Sequence, residues 1–494
     1  MKRIIITLTA ILLFLLPWQT RLIILPGNLA GGYSEYGTVS LYATEIILWL
    51  AVILFIADYF IVRRSAAPGA GKRLKIFFFL FSCFFAFLLA HPTLLTLNHT
   101  RLFLEGILIF LIIRGIGPKI YLAWAFTPTP KTAVGPVLER HDSNQASDVK
   151  TRPGDLLVWG FVIGAALQAV LGIYQFFTQS AFASKWLGMA AHDPSVLGTF
   201  VVETASGRWL RAYGALPHPN ILAGYLVAAI LSLLIINIQN KNVIPAPEPE
   251  SRKHFWIPAY AGMTQKISLV VLPILFTALF FTFSRSAWIA LAVGIIILVI
   301  AFRRDAINRV STILPAFAVI LSLLIIYWPL VAARTVADSR LEIKSSSERI
   351  GYYSESWTLI KRHPLLGVGL GNYTRAVHDE IDATRPAYAY QPVHNIFVLA
   401  LAELGIVGIL IIAAAILSLC KREYPRFGNR GGGILRKIIP WKKIIYLAPF
   451  LIIGLFDHYL WSLYPGIVLW AAYLGLLESN GESTRILRMP NVDS

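Results

Sequence analysis

Residues 267–302 read ISLVVLPILFTALFFTFSRSAWIALAVGIIILVIAF, an apolar run in which Arg285 is the single charged residue. About 20 apolar residues suffice to cross a hydrocarbon core roughly 30 Å thick, so this run is too long for one crossing. We divide it at Arg285 into two membrane helices, 267–283 and 286–302. Backbone polar groups in lipid find partners only within a helix or a closed barrel. Runs of this length therefore predict an all-α fold.

The same pattern recurs along the whole chain. Its 494 residues are 56% hydrophobic and only 14% charged, whereas a soluble domain has about a quarter charged residues. Further apolar runs lie at 4–25, 42–62, 76–92, 99–117, 155–177, 219–238, 311–331, 394–418, 444–460 and 463–478. Together they predict a polytopic integral membrane protein of about twelve transmembrane helices. The first run passes Pro17 without a signal-peptide cleavage site, so we expect a retained first helix.

Basic residues indicate the orientation, because cytoplasmic loops of membrane proteins are enriched in Lys and Arg. Most of the 44 Lys and Arg residues fall in loops on one side of the membrane when Met1 is placed in the cytoplasm. We therefore expect both termini to be cytoplasmic. The two long segments 178–218 and 332–393 then lie on the opposite, outer face.

A net charge of +18 would favour nucleic-acid binding in a soluble protein. Here the charge comes from basic cytoplasmic loops, and we expect no nucleic-acid partner. Among these loops, 127–153 is predicted to be a linker, 421–443 to contact anionic lipid headgroups, and 243–264 to be an inserted repeat element without a chemical role. Cys83 and Cys420 indicate neither a disulfide nor a metal site.

The chain is expected to have three regions. Residues 1–177 hold the first membrane helices, 178–418 form a central region with both long outer loops, and 419–494 hold the basic loop and the last two helices. In the second outer loop, apolar residues recur at helical spacing; they are Ile350, Tyr353, Trp357 and Ile360. This pattern predicts an amphipathic helix that lies on the membrane surface or caps a cavity, with a plain surface helix as the alternative.

Polar and charged residues at the ends of membrane helices are costly to place there and are functional candidates for that reason. Three such groups occur, and the predicted topology puts all of them at one membrane level on the outer face. They are the stretch Arg208–Asn220, which includes Arg211 and His218; Arg285; and His394 with Asn395.

Each group also has a purely structural interpretation. Arg211 could extend to the headgroups from an interfacial position, and Arg285 could simply separate two helices. His394 could be an interfacial histidine whose hydrogen bonds are satisfied, followed by Asn395 as a helix cap. Glu403 lies about half a turn round the helix from His394 and is predicted to pair within the bundle instead.

The acidic stretch His378-Asp379-Glu380-Ile381-Asp382 matches no strong metal-ligand spacing. We interpret it as a solvated turn, and we expect neither a metal nor a cofactor.

Four stretches resemble the bacterial O-antigen ligase/polymerase family. They are RAYGALPHPNILAGYL (211–226), FTFSRSAWIAL (281–291), WTLIKRHPLLGVGLGNY (357–373) and HNIFVLALAELGIVG (394–408). The last fits the family pattern of histidine, then Asn, Ser or Gln, then nine residues, glycine, two further residues, and Gly, Thr or Tyr. These positions are His394, Asn395, Gly405 and Gly408. Four motifs in this order, with a long outer loop just before the histidine, make the resemblance specific.

The resemblance implies an enzyme of the bacterial inner membrane that works on its periplasmic or extracellular face. Family members transfer a glycan from undecaprenyl pyrophosphate to a hydroxyl acceptor, without a nucleotide sugar and without a metal. The family's functional residues map onto Arg211, Arg285 and His394. We assign the neighbouring residues as substrate-binding candidates; these are Arg208, His218, Asn220 and Asn395.

These residue types suit the implied chemistry. When a pyrophosphate leaves, negative charge concentrates on its phosphate oxygens. The guanidinium group of an arginine binds such oxygens through two parallel hydrogen bonds. A histidine with a pKa near neutrality can take the proton of the acceptor hydroxyl as general base. Attack from the face opposite the leaving group would invert the anomeric carbon.

Several functions stay open at this stage. The acceptor would be a lipid A core sugar for a lipopolysaccharide ligase, a second lipid-linked repeat for a polymerase, or a protein for an O-oligosaccharyltransferase. A transporter or flippase would also need many helices, but we find no internal repeat of the kind that transporters often show. A scaffold protein would leave the three outer groups without a role.

Overall fold

The computed structural model describes residues 1–63, 90–116, 153–239, 259–307, 310–335, 340–420 and 441–481. Within these ranges the chain is mostly helical, as predicted, with three small β-hairpins in addition. The interpretations of 76–92, 127–153, 243–264 and 421–443 fall wholly or mostly outside the described residues.

The described helices are α1 (Lys2–Leu15), α2 (Ala43–Arg63), α3 (Leu94–Ile116), α4 (Pro153–Thr178), α5 (Pro219–Gln239), α6 (Ala259–Phe281), α7 (Arg285–Ile307), α8 (Val310–Ile326), α9 (Trp328–Thr335), α10 (Arg340–Arg362), α11 (Tyr373–Glu380), α12 (Ile396–Cys420), α13 (Trp441–Phe456), α14 (Tyr459–Ser462) and α15 (Tyr464–Gly481). The strands are β1 (Arg21–Leu25), β2 (Asn28–Leu29), β3 (Gly32–Tyr33), β4 (Val39–Tyr42), β5 (Val201–Thr204) and β6 (Gly207–Leu210). Strand β1 pairs with β4, β2 with β3, and β5 with β6, all antiparallel.

Among the described helices, four are long and apolar enough to cross a membrane, or five if one bent pair counts as a single span. The four are Leu94–Ile116, Gly154–Thr178, Pro219–Ile238 and Ile396–Ala414. Shorter apolar helices lie at Lys266–Phe281, Arg285–Ile300, Leu447–Phe456 and Tyr464–Leu477. A membrane protein is therefore supported, while the total of about twelve spans and the position of the outer loops stay predictions.

The predicted first helix, 4–25, is wrong in its second half. Helix α1 ends at Leu15, and residues Arg21–Leu25 form a β-strand that pairs with Val39–Tyr42. Pro17 has no N–H to donate and hinders a helical conformation before it, and the apolar residues beyond it include the β-branched Ile23 and Ile24, which favour strands.

Two further apolar runs are broken by the structure. The run 311–331 is helical to Ile326, and after Tyr327 a separate short helix, α9, begins at Trp328. The run 444–460 is interrupted after Phe456 by Asp457 and His458. The second interruption brings two polar side chains into the interior of the molecule.

Helix α5 lies at the centre of the molecule, with 94% of its membrane-length window buried. It contacts α4, α6, α7 and α15. Its sequence, PNILAGYLVAAILSLLIINIQ, is apolar on every side, which is the pattern of a fully enclosed helix. The N-terminus of α5 is consequently a rigid position from which polar residues can be presented.

The long apolar run around Arg285 breaks at Thr282–Ser284, between α6 and α7. Phe283 has φ of 47°, a left-handed conformation that costs about 1–2 kcal/mol for a residue with a side chain. The division of this run at the arginine is confirmed. Helix α6 ends here, so its last carbonyls need partners from elsewhere.

The second long loop folds around a small core of its own. Buried side chains of α10, α11 and the segment before α12 meet there, among them Leu359, Tyr373 and Val393. The predicted amphipathic helix is confirmed as α10, but Ile350 and Trp357 are exposed whereas Tyr352 and Leu359 are buried. The face of α10 that packs on the protein is therefore not the apolar stripe seen in the sequence.

Helix α12 is kinked at Gly405, which has φ of 61° and ψ of −174°. The backbone of the loop Pro364–Gly369 fits into this kink. The N–H groups of Val368 and Gly369 donate to carbonyls of α12, and the N–H of Ile406 donates to the carbonyl of Pro364. This loop thereby holds α12 at its kink, and His394 lies two residues before the helix begins at Ile396.

Candidate active site

Arginine side chains cap the end of α6. The N–H of Ala212 donates to the carbonyl of Phe281 at 2.9 Å, and Arg211 Nε donates to the carbonyl of Thr282 at 2.7 Å. Arg334 Nε donates to the carbonyl of Phe283 at 3.2 Å. Cations at a helix C-terminus satisfy free carbonyls and oppose the negative end of the helix dipole. The α6–α7 break therefore places two guanidinium groups beside Arg285.

A chain of hydrogen bonds connects Arg211 to a buried carboxylate. Arg211, only 3% exposed, donates through Nη2 to Asn220 Oδ1 at 2.7 Å, and Asn220 Nδ2 donates to Asp457 Oδ2 at 2.7 Å. The other carboxylate oxygen accepts the backbone N–H of His458 at 2.8 Å. Asn220 is thus fixed at the beginning of α5 between a cation and an anion.

Two histidines meet beside this carboxylate. The rings of His394 and His458 lie edge to face with centroids 4.9 Å apart, and Tyr352 stacks on His394 at 5.8 Å. His458 Nδ1 hydrogen-bonds to Ser462 Oγ at 2.7 Å. His394 Nδ1 is buried and makes no hydrogen bond with the part of the chain that the structure describes.

Burial determines the protonation of these groups. It lowers the pKa of His394 below its usual value, and the Asp457 carboxylate opposes this shift only in part. Burial, followed by the neighbouring His394, lowers the pKa of His458 to about 3. For Asp457, burial would raise the pKa, but His458, His394 and His218 outweigh it and the pKa is lowered. At neutral pH the site therefore holds neutral imidazoles beside an ionised carboxylate.

Arg285 lies on the other side of the α6–α7 break. Its Nη1 donates to the carbonyl of Arg334 at 3.2 Å, and its Nη2 lies 2.9 Å from Glu342 Oε2. Arg334 forms an ion pair with the same carboxylate. Glu342, on α10, is 4% exposed. One carboxylate thus holds two guanidinium groups at the beginning of the second long loop.

The candidates from the sequence separate into two groups. Arg211, Asn220, Arg285 and His394 belong to the cluster just described. His218 also faces it: its Nδ1 accepts the N–H of Asn220 at 2.9 Å, and its pKa is lowered by burial and influenced by Asp457.

Arg208 and Asn395 make different contacts. Arg208 donates to the backbone carbonyls of Ser195 and Val196 at 3.3 and 3.4 Å, which ties strand β6 to the preceding loop. Asn395 Oδ1 accepts the N–H groups of Phe397 and Val398, as a helix N-cap does. These contacts are structural, and a substrate-binding role for either residue stays a prediction.

The sequence interpretation missed several residues of the cluster, namely Asp457, His458, Arg334, Glu342 and Arg349. Asp457 and His458 fell within the predicted helix 444–460, where two ionisable residues in an apolar run are a signal of function. The residues of α9 and α10 carry no such signal, because charged side chains are ordinary in an outer loop.

Charge in the cluster is unbalanced. Four arginines interact electrostatically across it, and the carboxylates of Glu342 and Asp457 are the acidic partners that accompany them. These arginines are Arg211, Arg285, Arg334 and Arg349. The four arginines outnumber these two buried carboxylates; Glu348, a more exposed carboxylate on α10 that also acts on His394, pairs with Lys344. An anionic substrate would balance the excess of arginines.

No group of three or more His, Cys, Asp or Glu residues suited to a metal ion occurs among the described residues. His378 Nδ1 contacts Asp379 at 2.6 Å on the surface. Glu403 is buried and accepts a hydrogen bond from Trp461 Nε1 at 2.8 Å, so its predicted pairing within the bundle is confirmed.

A mostly helical membrane protein with a partly buried cluster of arginines and histidines is the class that fold and site define. Residues 269–413 match the family model described as O-antigen ligase, and this segment belongs to that family. The match supports a membrane glycan transferase of the O-antigen ligase type. Three of the four sequence motifs lie inside the matched segment, while the motif containing Arg211 lies before it. Comparison with curated proteins gave no match.

Proposed function

We propose that this protein transfers a glycan from undecaprenyl pyrophosphate to a hydroxyl acceptor, a lipid A core sugar or another surface glycan, on the periplasmic face of the inner membrane. The excess of arginines over buried carboxylates around a neutral histidine carries this proposal. A glycosyl pyrophosphate diester has two ionised phosphates, so it matches the pocket in charge. Arginine forks suit phosphate oxygens because they donate two parallel hydrogen bonds.

In the proposed reaction, the acceptor oxygen attacks the anomeric carbon and the bond from that carbon to the phosphate oxygen breaks. The electron pair leaves with undecaprenyl pyrophosphate, and the hydroxyl proton moves to His394. Tyr352 and His458 hold the imidazole in place, and Asp457 favours the protonated imidazole once it forms. Because the nucleophile and the leaving group occupy opposite faces, the product is inverted at the anomeric carbon.

Arg285 stabilises the leaving pyrophosphate in this scheme. Its guanidinium is about one-third exposed, whereas Arg211 is almost fully enclosed and bound to protein acceptors. We therefore assign Arg285 to direct phosphate contact and Arg211 to the positioning of Asn220 and Asp457. Preformed cations of this kind act most strongly where negative charge develops in the transition state.

The test is a transfer assay with purified protein in lipid nanodiscs, an undecaprenyl pyrophosphate-linked oligosaccharide, and either lipid A core or a second lipid-linked repeat as acceptor. We expect His394→Ala to lower the rate by about 10²–10⁴-fold, and Arg285→Ala by about 10²–10³-fold.

The matched controls are His378→Ala and Arg340→Ala, which remove surface residues and should leave transfer unchanged. Wild-type rates in folded His394→Ala and Arg285→Ala proteins would refute the assignment. The acceptor that is consumed separates a ligase from a polymerase, and the anomeric configuration of the product tests inversion.

A further inference from the structure

Helix α10 connects the two halves of the site along one of its faces. At its beginning, Glu342 binds Arg285 and Arg334. About three turns later, Tyr352 stacks on His394, and the hydroxyl of the adjacent Tyr353 accepts a hydrogen bond from Asn395 at 3.3 Å. A residue on this face between Glu342 and Tyr352 lies between the phosphate-binding arginine and the histidine.

Arg349 occupies this position. It follows Glu342 by seven residues, two turns of an α-helix, and precedes Tyr352 by three, so the three residues share one face. Its side chain is half-buried. Arg349 influences the protonation of Arg211, Arg334, His394 and His458, as expected for a cation at the centre of the cluster.

Arg349 differs from the other arginines of the cluster in its partners. Arg211, Arg285 and Arg334 each donate to a carbonyl or carboxylate of the protein. For Arg349, neither a hydrogen bond nor an ion pair with any residue in the described ranges is found. A charge that is partly removed from water without a partner is unfavourable, so this guanidinium is free to bind an anion from outside.

The electrostatic environment agrees with this geometry. Burial lowers the pKa of Arg349 from its usual value, the Asp457 carboxylate opposes that shift, and Arg285 adds to it. The side chain stays protonated at neutral pH, since an arginine begins from a pKa above 12. The carboxylate of the preceding residue, Glu348, is paired with Lys344 at 3.7 Å.

We infer that Arg349 binds the pyrophosphate of the lipid-linked donor, bridging the space between Arg285 and His394. This inference rests on the proposed function and adds a residue from the outer loop to the donor site. The planar guanidinium group of Arg349 would bind phosphate oxygens through two hydrogen bonds, while Arg285 stays paired with Glu342. The outer loop would then contribute to donor recognition directly, through α10.

The test measures binding of undecaprenyl pyrophosphate, without glycan, to the full-length protein in nanodiscs, together with the KM for the glycan-linked donor. Arg349→Ala should weaken binding by about 10- to 100-fold, the usual effect of losing a hydrogen bond to a charged group. Arg349→Lys should bind more tightly than Arg349→Ala but less tightly than the wild type, because lysine keeps the positive charge but cannot donate two parallel hydrogen bonds. Arg340→Ala, an exposed change on the same helix, should bind as the wild type does.

Wild-type affinity in a folded Arg349→Ala protein would overturn the inference and leave the proposed function intact. If the wild type itself neither binds undecaprenyl pyrophosphate nor transfers glycan from it, the proposed function fails and the inference fails with it. Should the alanine variant not fold, Arg349→Gln, which keeps the length and polarity of the side chain, gives the same comparison. An unchanged affinity in that variant overturns the inference as well.

Discussion

Arg211 illustrates how one side chain serves both the fold and the site. Its Nε atom completes the end of α6 by binding the carbonyl of Thr282, and its Nη2 atom orients Asn220 toward Asp457. Burial lowers the pKa of this guanidinium to about 10, so it stays charged at neutral pH. The shape of the guanidinium group, as well as its charge, is needed for both contacts.

Replacing Arg211 by lysine should therefore be harmful although the charge is kept. One ammonium group cannot reproduce two hydrogen bonds in fixed directions, and the loss of one bond to a charged group is worth about 1.5–3 kcal/mol. We expect a lower unfolding temperature and weaker transfer, measured by thermal unfolding in detergent and by the nanodisc assay. Arg340→Lys, at a site that is 71% exposed, is the control and should change neither.

The rate of transfer should depend on pH through His394. A general base must be unprotonated, and burial lowers the pKa of His394 below its usual value near 6.5. The rate should therefore be constant above about pH 6.5 and fall as the pH drops through the lowered pKa. The measurement is kcat/KM between about pH 5 and pH 8.

Asp457→Asn tests the sign of this effect. The carboxylate raises the pKa of His394, so its removal should move the acid limb of the profile to lower pH, besides slowing the reaction. A limb that moves to higher pH, or a wild-type rate that rises on acidification, would contradict the role given to His394.

At the scale of elements, the kink in α12 explains the glycines of the motif around His394. Gly405 has φ of 61°, and a Cβ atom added there would lie 2.3 Å from the carbonyl oxygen of Leu365. Gly367 has φ of 68°, and its Cβ would lie 2.4 Å from the backbone of Glu403. Both glycines let two backbones approach and exchange hydrogen bonds, so the motif describes a packing arrangement as well as a histidine.

Gly405→Ala should accordingly destabilise the protein by about 2 kcal/mol or more, through the left-handed backbone and the overlap with Leu365. Unfolding temperature and transfer should both fall, because the beginning of α12 would shift. Gly351→Ala on α10 is the matched control: a Cβ there meets nothing within 4 Å, and alanine favours a helix by about 0.5–1 kcal/mol. Equal stability of the two variants would argue against a role for the kink.

At the scale of the whole molecule, buried hydrophobic side chains form one main cluster that includes residues from Ile5 to Leu476. The three regions expected from the sequence therefore share a core within the described residues. Helices with long apolar runs, such as α4, α5 and α12, were predictable because hydrocarbon thickness fixes their length.

The remaining features depend on contacts between distant residues. The strand at Arg21–Leu25 forms through pairing with Val39–Tyr42, and Asp457 acquires its role only through Asn220, 237 residues away. Apolar periodicity carries no information about such partners. The sequence motifs pointed to Arg211, Arg285 and His394, which the structure places in one cluster, because the resemblance supplied what local patterns lack.

The predicted topology can be tested with cysteines in a variant whose natural Cys83 and Cys420 are replaced. A cysteine in place of Arg375, a side chain that is 65% exposed, should react with a membrane-impermeant maleimide in intact spheroplasts. A cysteine at Lys2 should react only after lysis, because the positive-inside rule places the N-terminus in the cytoplasm. The reverse pattern would refute an outer-face active site.

The distribution of the site along the chain limits how such proteins can be recombined. The recognisable segment 269–413 brings Arg285 and His394, but Arg211, Asn220 and Asp457 come from sequence on either side of it. A hybrid that exchanges this segment alone would pair one parent's histidine with the other parent's carboxylate and amide. A segment exchanged between two such proteins should therefore be longer than the family domain. It should run from strand β6, before α5, through Asp457, so that all residues of the cluster come from the same parent.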